Sequence, residues 1–175
     1  MNNSKTIVHS ALLLALAIVL QALRLVLPIP QPISTIIIGS LVNMILAFSC
    51  CWHSLKGALT IGAVLPVFAY FQGQLLWPLL IPIVILGNTV FILLCYRFQG
   101  NSSLITKLFV PAMGKALLML CGTFFLGRLF LDSPVILKGI LIAMSVPQFI
   151  TAVIGGFMAI KLGSRVIFRP TNRNL

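Results

Sequence analysis

Long apolar runs separated by short polar or proline-rich breaks fill almost the whole chain. A membrane-spanning helix takes about 20 predominantly apolar residues, and six runs approach or exceed that length. The pattern therefore predicts an all-α, polytopic membrane protein, with one six-helix transmembrane domain over residues 1–175. The predicted spans are about 7–27, 34–51, 55–71, 77–96, 104–131 and 135–162, and residues 164–175 form a basic cytoplasmic tail.

The breaks between the runs carry turn chemistry. Pro28, Pro30 and Pro32 follow the first run closely, and proline removes a backbone donor and ends helices. Two interpretations of this segment stay open, a stiff extended lid over an outer pocket and a plain connector. The second and third runs are short, and the break at 52–54 leaves open whether they form one interrupted element.

The composition agrees with a membrane-embedded chain. Apolar residues make up 60% of the sequence and charged residues only 7%, whereas a soluble domain carries roughly a quarter charged residues. This excludes an ordinary soluble enzyme, and the high hydrophobicity excludes intrinsic disorder. The four cysteines show no metal-ligand spacing and are expected to be free thiols at membrane depth.

The charged residues are almost all basic. Twelve Lys and Arg stand against one acid, Asp132, and their single, scattered placement favours topology signals over nucleic-acid binding. With six spans and both termini in the cytoplasm, eight basic residues face inward and three outward, as the positive-inside rule requires. The inner set is Lys5, Lys56, Arg97, Lys107, Lys161, Arg165, Arg169 and Arg173, and the outer set is Arg24, Arg128 and Lys138.

Several kinds of chemistry are missing from the sequence. No span contains Asp or Glu, which argues against an autonomous proton- or sodium-coupled carrier. No phosphate-binding loop is present, so the chain itself is not expected to use ATP. His9 and His53 have no partners at ligand spacing, and no Ser-His-Asp set can be assembled. We therefore expect a protein that is not an enzyme and needs no metal or cofactor of its own.

Polar side chains at membrane depth are costly and suggest function. The candidates are Arg24, Gln21, Asn43, Asn88, Lys115, Arg128 and Gln148. The alternatives are hydrogen bonds between helices for the amides and snorkelling to the interface for Arg24 and Arg128. Lys115 lies about ten residues into its span without an acidic neighbour. It is about 140° round the helix from Arg128, so the two are not expected to enter one pocket.

The first span has two different faces. At about 100° per residue, Gln21 and Arg24 are about 60° apart, and Ala11 and Ala15 about 40° apart. Arg24 lies about 180° from Ala15, so the polar and small-residue faces are opposite. A small-residue face lets another helix approach closely, which predicts one side for a partner and one for a pocket.

The outer junction before the fourth run adds three candidates, Gln72, Gln74 and Trp77. A Trp beside two amides suits stacking on a planar ligand. The alternative is an ordinary place in the interfacial aromatic belt.

Four stretches carry a family resemblance. SALLLALA at 10–17 matches an AxxxA motif, and GSLVN at 39–43 opens the second span. The fourth span contains 82–88, ending in LGN, and the sixth combines PQ at 147–148 with GG at 155–156. With its size, six spans and basic tail, the chain resembles the substrate-binding S component of energy-coupling factor (ECF) transporters, the prokaryotic vitamin-uptake systems, and among them small uncharacterised members.

The resemblance implies a mechanism and partners. Such a subunit lies in the cell membrane and captures a vitamin or precursor from outside, and the loop after its first span helps to close the pocket. Its alanine face contacts a transmembrane T component, two ATP-binding subunits supply energy, and the subunit topples to release its cargo. Carried onto this chain, Ala11 and Ala15 become partner-contact residues. The pocket candidates are Arg24, Asn43, Gln72, Gln74, Trp77, Asn88, Lys115 and Gln148.

The charges restrict the ligand and two other functions stay open. A pocket with Arg24 or Lys115 and no carboxylate favours an anionic or carboxylate-bearing molecule. No signature specific to one vitamin matches the chain.

One alternative function is a ligand-free scaffold of a cell-envelope or cell-shape complex, similar to MreD-like proteins. Polar residues that pair with one another within the spans would favour it. The other is a small facilitator or channel subunit, which would need a continuous polar stripe.

Overall fold

The fold is helical throughout the part of the chain that can be described. The computed structural model describes residues 3–26, 30–75, 77–100, 102–130 and 133–165. These ranges contain no strand, as expected for a chain in lipid, where a helix satisfies every backbone group internally. The helices are α1 (Asn3–Val26), α2 (Gln31–Phe48), α3 (Leu55–Phe71), α4 (Leu80–Phe98), α5 (Leu104–Phe130) and α6 (Pro134–Arg165), and a π-helical turn (Ser49–His53) extends α2.

Five helices are long and apolar enough to cross a membrane: α1, α2 with its π-helical turn, α4, α5 and α6. The predicted all-helical class is confirmed, and these helices are compatible with a multi-pass membrane protein. α3 is a shorter apolar helix of 17 residues. At about 1.5 Å per residue it is about 25 Å long, and its role as a sixth span stays a prediction.

The proline-rich segment overlaps the start of α2, and its role as a lid or a connector stays open. α2 begins at Gln31, so Pro32 lies in its first turn, and Pro30 caps the helix. Proline suits this position because its fixed φ is already helical and its missing N–H would have no helical partner. Pro28 and residues 166–175 of the predicted tail lie outside the described residues.

The second and third predicted runs are two separate helices. The π-helical turn carries α2 to His53, so the helix continues past the predicted end at 51. Ser54 then adopts an extended backbone, and its hydroxyl accepts a hydrogen bond from the Gly57 N–H at 3.2 Å. This side-chain cap satisfies one of the free N–H groups at the start of α3.

The six helices close into a ring. The main packing contacts run from α1 to α2, α6, α5, α4 and α3 and back to α1. His9 of α1 lies against His53, with ring centroids 4.8 Å apart, and Trp52 fills the space beside Gly163 of α6. The start of α1 and the end of α6 therefore lie at one end of the bundle, called here the His53 end. The opposite end, where α1 stops and α2 starts, is called the Arg24 end.

Apolar side chains cover both the inside and the outside of the ring. Leu46, Phe91 and Ile92 are fully buried in the largest core cluster. Phe125 and Val135 are 71% and 79% exposed, among many other large exposed apolar residues. A water-soluble monomer rarely exposes so much contiguous apolar surface, and lipid tails would cover it.

Candidate functional site

A cavity of about 290 Å³ lies inside the ring toward the Arg24 end. Its size is close to the lower limit for small-molecule sites, about 300 Å³. We call it the polar cavity. All six helices contribute to its wall. Six of the eight predicted pocket residues line it: Arg24, Asn43, Gln74, Asn88, Lys115 and Gln148.

Lys115 is the buried charge of the polar cavity. It comes from the middle of α5 and is 3% exposed. Its ammonium donates to Asn43 Oδ1 at 2.7 Å and lies 5.5 Å from the centroid of the Phe91 ring. An ammonium has three N–H donors, and this is its one hydrogen bond to a described residue. Because the chain's single acid, Asp132, lies outside the described ranges, no described carboxylate neutralises the charge.

Asn43 connects Lys115 to α6. Its Nδ2 donates to Thr151 Oγ1 at 3.1 Å, and the Thr151 hydroxyl donates to the Gln148 carbonyl at 3.1 Å. With its amide nitrogen held by Thr151, Asn43 turns its oxygen toward the ammonium. The side chain of Gln148 also lines the cavity and makes no hydrogen bond to another described side chain.

Glycines allow α2 and α6 to approach closely beside this relay. A Cβ at Gly155 would lie 2.6 Å from the Ser40 carbonyl oxygen, and one at Gly39 would lie 2.9 Å from Thr151 Cγ2. Neither position has room for a larger side chain. The GSLVN and GG stretches of the sequence therefore meet, and their approach brings Asn43 within hydrogen-bonding distance of Thr151.

Arg24 lies at the mouth of the polar cavity. Its guanidinium donates to Thr35 Oγ1 at 2.8 Å and, more weakly, to Gln74 Oε1 at 3.4 Å. Its Nε atom is buried without a partner among the described residues, as is Oε1 of Gln21, which is 7% exposed. Unpaired buried polar atoms are costly, and here two of them border one cavity.

A tight turn places Gln74 in the mouth. Gly73 has a φ of 69°, a left-handed conformation that favours glycine, and it ends α3. Gln74 Nε2 then donates to the Gln21 carbonyl at 3.1 Å and to Gln72 Oε1 at 2.7 Å. Gln72 is not part of the cavity wall, but its hydrogen bond orients Gln74, which is.

Trp77 and Asn88 both make contacts with neighbouring helices. The Trp77 ring packs edge-on against Phe130, with centroids 6.0 Å apart, and does not line the cavity. Trp77 thus packs in an apolar cluster, where a large ring buries more surface, and its stacking on a ligand stays a prediction. Asn88 lines the cavity and also donates to the Gly62 carbonyl at 3.0 Å, so it joins α4 to α3 as the alternative interpretation proposed.

Two predictions about helix faces agree with the structure. Arg128 is exposed, with its guanidinium 5.5 Å from the Phe124 ring centroid, and it does not enter the cavity with Lys115. Ala11 and Ala15 are exposed on the outer side of α1, whereas Gln21 and Arg24 face the cavity. The opposition of the two faces of α1 is confirmed, and the partner role of the alanines stays a prediction.

The predicted pocket set leaves out four polar residues of the cavity wall: Gln21, Gln31, Thr35 and Thr151. Gln21 was available from its helical angle to Arg24. Thr35 and Thr151 carry no comparable signal, because threonine hydroxyls commonly bond to their own helix, as Thr35 does to the Gln31 carbonyl at 2.8 Å.

No known protein family matches the chain, and neither does any curated protein or solved structure. The chemistry of the polar cavity therefore carries the functional argument. Its wall offers two cations, five amide side chains besides that of Gln31, and threonine hydroxyls. Apolar residues complete it: Ile38, Val42, Leu65, Leu75, Leu80, Val84, Ile140 and Met144.

Proposed function

We propose that the chain is a membrane-embedded binding subunit that holds a small anionic or carboxylate-bearing molecule in the polar cavity. The observation that supports this best is the Lys115 ammonium, buried beside a cavity with one hydrogen bond and no described counter-ion. A ligand carboxylate would accept its remaining donors and neutralise its charge. Charge-assisted hydrogen bonds of this kind are roughly twice as strong as neutral ones.

The remaining wall fits a ligand with one charged group and an apolar body. Gln148 and Gln74 offer amides to neutral polar groups, and Leu65, Val84 and Met144 offer apolar contact. Arg24 provides a second cation at the entrance, where it would attract an anion from solution. A cationic ligand would meet repulsion at both positions.

We further propose that this subunit is the S component of an ECF-type vitamin transporter in a prokaryotic cell membrane. In this proposal α3 completes six spans, both termini are cytoplasmic, and the Arg24 end faces outside. The exposed Ala11 and Ala15 face would contact the T component, and two ATP-binding subunits would energise uptake of a vitamin or precursor. The motif stretches and the eight-to-three distribution of basic residues support this assignment.

Native mass spectrometry of the chain purified in mild detergent tests the binding proposal. We expect a co-purified acid-bearing metabolite. Lys115→Gln keeps a donor for Asn43 but removes the charge, so it should weaken binding by about 10- to 100-fold, the value of a charged hydrogen bond. Arg128→Gln makes the same charge change on the exposed side of the same helix and should leave binding intact. A bound cation, or equal retention by both variants, would contradict the proposal.

The scaffold interpretation is the second candidate, and specific contacts favour it. Lys115 bonds to Asn43, Asn43 to Thr151, and Asn88 to the Gly62 carbonyl, which are the paired polar residues expected of a ligand-free bundle. It predicts that no small molecule co-purifies with the chain and that the chain binds none of a panel of anionic vitamins. Pull-down through the Ala11 and Ala15 face, with Ala15→Leu as the disrupting change, would then identify the assembly partner.

A further inference from the structure

Five amide side chains line the polar cavity besides that of the exposed Gln31. Three of them are already hydrogen-bonded within the protein: Asn43, Gln74 and Asn88. The other two belong to Gln21 and Gln148. Apart from the ladders of their own helices, these two residues form hydrogen bonds with described residues only through their backbone carbonyls. Two amide groups of the wall are therefore available to what the cavity holds.

Gln21 is the more deeply buried of the two. It is 7% exposed, and its Oε1 has no partner among the described residues, whereas Gln148 is half-buried. Leaving a buried polar group unpaired costs more than a typical hydrogen bond contributes. A half-turn of the terminal amide exchanges its oxygen and nitrogen, so Gln21 can present either atom to the cavity. Its partner has to come from the contents of the cavity, water or ligand.

The two cations mark the inner end and the mouth of the polar cavity. Lys115 bonds to Asn43 and Arg24 bonds to Thr35, and both of these partners are on α2. The two α2 residues are eight positions apart, which is about 12 Å along the helix. A ligand in the cavity therefore has one cation at its inner end and another about 12 Å nearer the mouth.

The two available amides lie between these cations in depth. Gln21 comes three residues before Arg24 on α1, which runs toward the mouth, so it is about 4.5 Å deeper than Arg24. Gln148 comes three residues before Thr151 on α6, which starts at the mouth, so it is about 4.5 Å nearer the mouth than Thr151. Because Thr151 bonds to Asn43, the depths of the two amides differ by only about 3 Å.

The two amides also approach from different sides. α1 and α6 both pack against α2 and are its two neighbours in the ring. A trans amide suits the space between Gln21 and Gln148, because its N–H and C=O are fixed in one plane and point in opposite directions. A carboxylate offers no donor to the buried Gln21 oxygen, an ammonium offers no acceptor, and an alkyl chain offers neither.

We propose that the ligand is a small monocarboxylate whose body carries an uncharged amide. Its carboxylate binds Lys115, and its amide N–H and C=O lie between Gln21 and Gln148. The cavity volume of about 290 Å³ is that of about ten water molecules at about 30 Å³ each, which limits the ligand to a small acid. This inference rests on the proposed function for the carboxylate, and it adds the neutral group that distinguishes this acid from others.

Four probes of equal chain length test this ligand class. N-acetyl-β-alanine carries an amide, hexanoate an alkyl chain, adipate a second carboxylate and 5-aminopentanoate an ammonium. The full chain in mild detergent is dialysed until native mass spectrometry shows no bound molecule, and saturation-transfer-difference NMR then measures the affinity of each probe. Only binding that Lys115→Gln weakens is assigned to the polar cavity, which removes the contribution of hexanoate dissolved in detergent micelles.

We expect N-acetyl-β-alanine to bind about 5- to 100-fold more tightly than each of the other probes, the value of two hydrogen bonds. Gln21→Met and Gln148→Met keep the length of the side chain and remove its amide. Each should weaken N-acetyl-β-alanine binding about 3- to 10-fold and leave hexanoate binding unchanged. Gln99→Met makes the same change at the end of α4, outside the polar cavity, and should alter neither.

The melting temperature of the empty protein separates a binding role from a structural one. Because the side chain of Gln21 bonds to no described residue, Gln21→Met should leave the melting temperature unchanged or raise it. A lower melting temperature, with equal loss of N-acetyl-β-alanine and hexanoate binding, would assign this amide to the fold and overturn the inference. Gln148→Met repeats the test at a half-buried position.

Three other results would also overturn the inference. The first is binding of hexanoate, adipate or 5-aminopentanoate as tight as that of N-acetyl-β-alanine. The second is unchanged N-acetyl-β-alanine binding in both methionine variants, and the third is binding of none of the four probes. All three leave the binding proposal standing if an acid-bearing metabolite co-purifies with the chain and is lost in Lys115→Gln. A co-purified cation, by contrast, would remove the binding proposal itself.

Discussion

Gln74 concentrates more contacts at the mouth of the polar cavity than any neighbouring side chain. Its amide nitrogen serves both the Gln21 carbonyl and Gln72, and its oxygen accepts from Arg24. Gln74 thus joins the loop after α3 to the end of α1. Through these bonds, it fixes where the Arg24 guanidinium points.

Replacing Gln74 should therefore affect binding more than replacing Gln72. In Gln74→Ala the guanidinium of Arg24 keeps only Thr35, and the loss of hydrogen bonds worth about 0.5–1.5 kcal/mol each should weaken ligand binding about 3- to 10-fold. Gln72→Ala removes one supporting bond and should have a smaller effect. Titration of the identified ligand by isothermal calorimetry measures both. A larger loss in Gln72→Ala would contradict the assigned order.

Polar residues within the apolar runs predicted much of the cavity wall. The residues that these side chains contact could not be predicted. Arg24, Asn43 and Lys115 were identifiable because lipid makes any polar side chain expensive. The role of Trp77 could not be decided, because an interfacial Trp looks the same in sequence whether its neighbour is a ligand or Phe130. That contact depends on how α5 packs against α4, which one sequence does not contain.

At the scale of helices, the pair α2 and α6 forms the back wall of the polar cavity. Gly155 lies against the backbone of α2 at Ser40 and Met44. Gly139, on the same helix, has no atom within 4 Å of the position where a Cβ would be. The two glycines of α6 therefore have different structural roles, which their sequence neighbourhoods do not reveal.

Alanine at the two positions should change stability in opposite directions. Gly155→Ala forces the helices apart and should lower the free energy of unfolding by about 1–3 kcal/mol, as overpacking does. Gly139→Ala gains helix propensity without a clash and should raise it by up to about 1 kcal/mol. Thermal unfolding in detergent measures both. Equal shifts would show that Gly155 is not a packing contact.

The helix boundaries were predictable and the ring was not. The ends of a helix depend on residues that are close together in the sequence. The third and fifth predicted runs therefore begin at the observed first residues of α3 and α5, Leu55 and Leu104. The start of α2 was misplaced because prolines read as a break also suit the first turn of a helix. The order of helices around the ring depends on contacts such as Gly155 against Ser40, between residues far apart in the chain.

For the whole molecule, the basic residues define a direction. Lys5, Lys56 and Lys107 lie at helix starts on the His53 end, and Arg97 and Arg165 at helix ends there. Arg24 and Arg128 lie near the opposite helix ends. The separation of charge along the bundle suggests that the His53 end faces the cytoplasm.

Reporter fusions test this direction. Green fluorescent protein fused after residue 175 or inserted at 100 should fluoresce, because both positions are expected in the cytoplasm. Alkaline phosphatase inserted at 73 or after 132 should be active only if those loops are outside. The same fusions test whether α3 crosses the membrane. If the N-terminus is inside and α3 does not span, positions 73 and 132 lie inside and positions 100 and 175 outside. Green fluorescent protein would then be dark at 100 and 175, and alkaline phosphatase would be inactive at 73 and 132.

The unequal lengths of α3 and α6 have a consequence for the surrounding lipid. α3 is about 25 Å long and α6, with 32 residues, about 48 Å, while the hydrocarbon layer is about 30 Å thick. A bilayer adapts to short helices by thinning and to long ones by helix tilt. Because α3 lies across the ring from α6, the protein would be a wedge in the bilayer, and short-chain lipids would gather along α3.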